Sequence, residues 1–138
     1  TRFLDIAKAI LKNEPLTFDA FNGTQFLSAR EIAQLYVKLV ESDLNQEIFL
    51  ALGSEFTGWG TIAQIAKDMT PGCTSEITIC PCEGEPSFYN VSKMERVFGL
   101  RFEGDEELRA HIAWNLERAR KLMEGEKLHN TNHEWSAN

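Results

Sequence analysis

Residues 23–36 constrain this chain more than any other stretch, because they set a short strand directly against a helix start. Thr24 to Leu27 reads as the strand, and Ser28-x-x-Glu31 reads as a capping box. The Ser28 hydroxyl is placed to accept from the backbone N–H of Glu31, and the Glu31 carboxylate to accept from the Ser28 N–H. Leu27 and Ile32 are spaced as a hydrophobic staple around the same helix start. Ile32, Leu35, Tyr36, Leu39 and Val40 then recur at the period of a helix with one buried face. A strand handing over to a capped amphipathic helix is an α/β pattern. It supplies architecture but no nucleophile or base, since the cap accounts for Ser28.

The remaining elements follow from the same rules. Phe3, Ile6, Ala7, Ile10 and Leu11 share one face of an opening helix that Asn13 and Pro15 stop; no cap or initiator Met precedes it, which suggests a chain cut from something longer. Residues 16–20 read as extended, and Asn22-Gly23 is the dipeptide preferred in a type I′ turn, predicting a hairpin over residues 17–27. Residues 47–52, apolar without a break from Ile48 on and ended by Gly53, carry the pattern of a strand buried on both faces. Thr57 or Gly58 caps a helix burying Trp59, Ile62, Ala63, Ala66 and Met69, with Pro71-Gly72 as its stop. Residues 77–80 read as a strand with Pro81 at its end. Asn90 caps a short helix that closes at Gly99, and Asp105 caps a final helix with Leu108, Ile112 and Leu116 inward. The reading is a helix-rich α/β domain with a β-hairpin and short strands over residues 1–122, and a polar tail over residues 123–138.

Charge and composition remove several function classes. A net charge of −7 opposes a phosphate backbone, so nucleic acid is not an expected partner. No run reaches the roughly 20 apolar residues of a membrane span, and the start carries no signal pattern, so a cytoplasmic protein with no membrane partner is expected. Cys73, Cys80 and Cys82 make an odd count in a chain large enough to fold without staples, which points to reduced thiols.

Candidate chemistry resolves mostly into structural roles. Cys80-Pro81-Cys82 with His129 and His133 suggests zinc, but one residue between the cysteines is tighter than usual ligand spacing, and no metal is assigned. Glu106-Glu107 in a helix's first turn is explained by the helix dipole. His111 is read as a surface or half-buried histidine, and Trp59 and Trp114 as core aromatics.

Taken in order, Thr24-Gln25-Phe26-Leu27-Ser28, Glu47-Ile48-Phe49, Phe56-Thr57-Gly58-Trp59, Asn90-Val91-Ser92-Lys93 with Phe98-Gly99-Leu100, and Trp114 in the last helix form one pattern. It resembles the C-terminal, substrate-binding half of extended short-chain dehydrogenases, the NAD-dependent epimerase/dehydratase family, over about residues 1–120. The family's pattern there is Gly, then Arg-Asp-aromatic-x-His, a strand ending in Tyr-Asn-x-Gly, a Ser-Trp helix start, an Asp-x-Ser-Lys helix ending in Leu-Gly, and a closing helix bearing Trp. The resemblance implies the C-terminal lobe of an extended Rossmann-type dehydrogenase whose cofactor-binding and catalytic motifs lie upstream. On this reading the chain has no catalytic residue and no cofactor of its own, and NAD or NADP belongs to an upstream Rossmann domain. Tyr89-x-x-x-Lys93 copies the family's catalytic spelling, but Tyr89 precedes the Asn90 cap, so the two groups would not share a helical face.

The same resemblance implies a substrate pocket shaped by Thr24, Phe26, Cys82, Glu85 and Tyr89. The family's two diphosphate-binding arginines align with Thr24 and Cys82, neither of which carries charge. The expected partners are a sugar or nucleotide-sugar substrate, the upstream domain, and a second copy of the chain through an unpaired edge at residues 48–52. The rival expectation is a free-standing acidic α/β binding module without enzymatic activity.

Overall fold

The computed structural model describes residues 1–125. Thr1 opens the fold by capping helix α1 (Arg2–Leu11): its Oγ1 accepts from the Leu4 N–H at 3.4 Å, so α1 does have a cap. Asp5 lies in its first turn and Lys8 in its last, complementing the helix dipole. Asn13 ends the segment with φ of 57°, and its Oδ1 accepts from the Thr74 N–H at 2.8 Å.

Strand β1 (Leu16–Asp19) does not fold back into a hairpin. It pairs in parallel with β4 (Ile77–Cys80), in the register Leu16↔Ile77 to Asp19↔Cys80. The chain turns at residues 19–22, where the Asn22 N–H donates to the Asp19 carbonyl at 3.0 Å. Neither Asn22 nor Gly23 takes positive φ, so no type I′ turn forms. Gly23 serves a close approach instead: a Cβ there would sit 2.3 Å from the Thr57 carbonyl oxygen. That approach lets β2 (Gly23–Thr24) pair antiparallel with β3 (Thr57–Gly58). Parallel pairing with β4 keeps Phe18 in the core.

Helix α2 (Ala29–Val40) begins with the capping box read from the sequence, Glu31 N–H to Ser28 Oγ at 3.1 Å and Ser28 N–H to Glu31 Oε2 at 2.7 Å. Its apolar stripe is only partly covered: Leu35 is buried, while Tyr36, Leu39 and Val40 are exposed. Helix α3 (Trp59–Asp68) starts at Gly58 with no side-chain cap and buries Gly60, Ile62, Ala63, Ile65 and Ala66. Helix α4 (Ser92–Phe98) closes at Gly99 in the left-handed conformation, φ 62°. Asn90 acts just before it, its Oδ1 accepting from the Ser92 N–H at 2.9 Å. Helix α5 (Asp105–Met123) starts one residue earlier than expected. Gly104 is its N-cap, and Asp105, already helical, pairs with Arg109 at 3.1 Å. Trp114 is 56% exposed rather than core, whereas Trp59 is half-buried.

Two apolar clusters result. Helices α1, α3 and α5 enclose the larger with Phe18 from β1, centred on Ile10, Ile62, Ile112 and Leu116. The smaller joins α2 to α4 through Leu35, Val91, Met94 and Phe102. Residues 47–52, expected as a doubly buried strand, form no strand and are largely exposed. Phe49 and Leu52 pack on the smaller cluster, while Ile48 is 88% exposed. Among the described residues no strand lies beside them to supply a ladder, so an apolar run alone does not make a strand here.

Candidate functional site

The residue that gathers the site is Gln25, a buried amide between β2 and α2. Its Nε2 donates to the Gly53 carbonyl at 3.1 Å and to the Tyr89 carbonyl at 2.9 Å, and its Oε1 accepts from the Tyr89 N–H at 2.7 Å. The Gly53 N–H also donates to the Gln25 backbone carbonyl at 3.2 Å. Two segments distant in sequence are thereby fastened to one side chain. The crossing at Gly53 depends on the missing side chain, since a Cβ there would lie 2.0 Å from the Phe26 carbonyl oxygen. A second tie lies alongside, where Ser54 and Phe102 exchange hydrogen bonds of 2.9 and 3.0 Å. Arg101 then reaches Glu55, Glu95 and Glu103 at the surface; the hydrogen bond with Glu103 is the largest cause holding its guanidinium more firmly protonated.

These ties bring the loop at residues 81–91 over β2 and leave a cavity of about 190 Å³. Its wall includes Thr24, Gln25, Leu52, Phe56, Ser87 and Tyr89. A neighbouring cavity of about 250 Å³ lies where β3 and the start of α5 meet, with Phe26, Phe56, Thr61 and Phe102 in its wall and Glu55, Glu103 and Asp105 among its lining. The five residues expected to shape one pocket are therefore divided. Thr24 and Tyr89 share the first cavity, Phe26 lines the second, and Cys82 and Glu85 are exposed on the loop and line neither. Sequence reasoning passed over Gln25. The available signal was its place between Thr24 and Phe26, where the family pattern carries Asp; a carboxylate could accept from Tyr89 N–H but could not donate to the two carbonyls.

Tyr89 and Lys93 do not form a helical pair, because Tyr89 lies outside α4. The Lys93 ammonium is engaged with Glu47 Oε2 at 2.7 Å, the Ile48 carbonyl at 3.1 Å and the face of Phe49, 4.7 Å from the ring centre. It anchors residues 47–49 to α4. His111 is half-buried against Phe3, Phe26 and Trp114, with ring centres 4.6, 5.1 and 6.1 Å away, and burial pushes its pKa below 6.5. The three thiols are free; that of Cys73 donates to the Ile10 carbonyl at 3.3 Å. Among the described residues no group of three or more His, Cys, Asp or Glu could hold a metal, and His129 and His133 lie outside those residues.

No family model matches the sequence, and none of the curated proteins matches it. The fold does match a solved structure, UDP-glucuronic acid 4-epimerase from Bacillus cereus in complex with UDP-glucuronic acid and NAD, with a TM-score of 0.60. The chain folds like part of an epimerase. At 18% identity the likeness covers 88% of this chain and 40% of that one, so this chain spans about two-fifths of the epimerase's length. Among the described residues, this small α/β arrangement of five helices and short strands resembles part of an epimerase fold. No helix among the described residues is long and apolar enough to cross a membrane.

Proposed function

We propose that this chain is the substrate-binding segment of an NAD-dependent sugar epimerase or dehydratase, with hydride chemistry carried by a cofactor domain upstream of it. The observation that carries the reading is the shared fold with an epimerase solved in complex with a nucleotide-sugar and NAD. Residues 47–52 support it. They are apolar from Ile48 onward, pinned at one end by Lys93 to Glu47 and the Ile48 carbonyl, and exposed at Ile48, as a segment awaiting a larger sheet would be. In this role the chain supplies no catalytic group; Thr24 and Tyr89 line the cavity that takes the substrate, Phe26 lines the neighbouring one, and Cys82 and Glu85 are exposed on the loop.

Turnover is the direct test. The full-length polypeptide, given NAD and a panel of sugars and nucleotide-sugars, is expected to bind NAD and to interconvert or dehydrate at least one sugar. A full-length polypeptide that binds no nicotinamide cofactor would defeat the proposal and leave the free-standing binding module in its place.

A further inference from the structure

We propose that the cavity between β2 and the loop at residues 81–91 receives an uncharged, hydroxylated molecule of about monosaccharide size, and that Gln25 is the positioning residue that holds the loop over it. This deepens the substrate-binding reading and rests on it.

None of the residues lining the cavity is a cation or a carboxylate; its polar side chains are the hydroxyls of Thr24, Ser87 and Tyr89 and the amide of Gln25. No basic residue occurs in residues 20–29, 48–56 or 81–92, which supply the walls, while Glu83 and Glu85 add negative charge to the loop. Lys93 comes next in sequence, but its ammonium is already bonded to Glu47 and the Ile48 carbonyl. A diphosphate placed here would lose its hydration without gaining a cation, and burying unpaired charge is costly.

At about 190 Å³ the cavity is smaller than the roughly 300 Å³ at which sites for drug-sized ligands begin. Leu52 and Phe56 make the wall mainly apolar, a surface against which the C–H face of a sugar ring packs, and Thr24, Ser87 and Tyr89 bring hydroxyl-bearing residues to the same lining. The Gln25 amide does not need the ligand. Both of its ends are spent on backbone groups of Gly53 and Tyr89, so its part is to hold the wall at residues 87–89 in place.

Backbone NMR of the full chain tests this. Unphosphorylated D-glucose and D-galactose are titrated against uridine diphosphate and UDP-glucose, following the amides of Thr24, Ser87 and Tyr89. At least one free sugar is expected to give saturable shifts at all three in the millimolar range, with uridine diphosphate giving none at equal concentration. Ser87→Ala, on an exposed loop, is expected to weaken sugar binding severalfold. Gln25→Leu is expected to weaken it tenfold or more and to speed hydrogen exchange at Tyr89, while exchange within α1 and α5 stays slow, separating loss of the loop from loss of the fold. Shifts at these residues that are as strong with uridine diphosphate or UDP-glucose would overturn the uncharged class but leave the substrate-binding reading intact. No shift with any ligand would overturn the cavity as a site, whereas the substrate-binding reading stands or falls separately on cofactor binding by the full-length polypeptide.

Discussion

Gln25 and Gly53 meet where the chain crosses itself, and each fails differently when changed. Gly53→Ala drives a methyl group into the Phe26 carbonyl, 2.0 Å from where the Cβ must sit, and is expected to cost about 1–3 kcal/mol in urea unfolding. A wild-type midpoint in that variant would mean that the two strands of backbone do not approach as described. His111 contributes a pH dependence. Its folded pKa is depressed by burial, so the unfolded chain takes up a proton more readily below 6.5. Its contribution to stability is complete above 6.5 and is lost as pH falls through 6.5 toward the depressed folded value. His111→Phe keeps a ring among Phe3, Phe26 and Trp114 and is expected to flatten that part of a pH–stability profile. At this scale the sequence was least readable. Nothing in the spacing of residues around Gln25 announces an amide bonded to Gly53 and Tyr89, because that arrangement exists only once distant segments have packed.

At the scale of elements, local signals held where the cause is local. The Ser28–Glu31 box needs only four residues and forms as read; Ser28→Ala is expected to cost about 1 kcal/mol, measured by chemical denaturation. Gly99 closes α4 in the left-handed conformation for the same kind of reason. Signals that depend on a partner were overridden. Asn22-Gly23 carries the composition of a hairpin turn, yet β1 finds β4 and β2 finds β3. Gly23 is needed for the contact with Thr57 rather than for positive φ. Trp114 sits in a helical pattern but lies on the outer side of α5, where Arg118 stacks over its ring at 5.4 Å.

For the whole molecule, the fold class and the resemblance to an epimerase lobe were legible, because both rest on the order of several weak motifs rather than on one. Of the residues named for the candidate site, Thr24 and Tyr89 come together at one cavity, while Cys82 and Glu85 are exposed and line none. Under the proposed function, the exposed apolar segment at residues 48–52 would join a larger sheet. Ile48 is 88% exposed, so Ile48→Glu is expected to leave the chain's own stability within about 0.5 kcal/mol of wild type. In the full-length polypeptide the same change is expected to lower the melting temperature, because it would place a charge inside the completed sheet. Equal, negligible effects in both settings would show that residues 47–52 join no sheet.

Whether this fold is the substrate lobe of a nicotinamide-dependent enzyme is decided by reading the gene upstream of the codon for Thr1. An in-frame region encoding a glycine-rich strand–turn–helix of the dinucleotide-binding kind, followed by Tyr-x-x-x-Lys within a helix, is expected there. An open reading frame that begins at Thr1, or an upstream region without that glycine-rich turn, would contradict it.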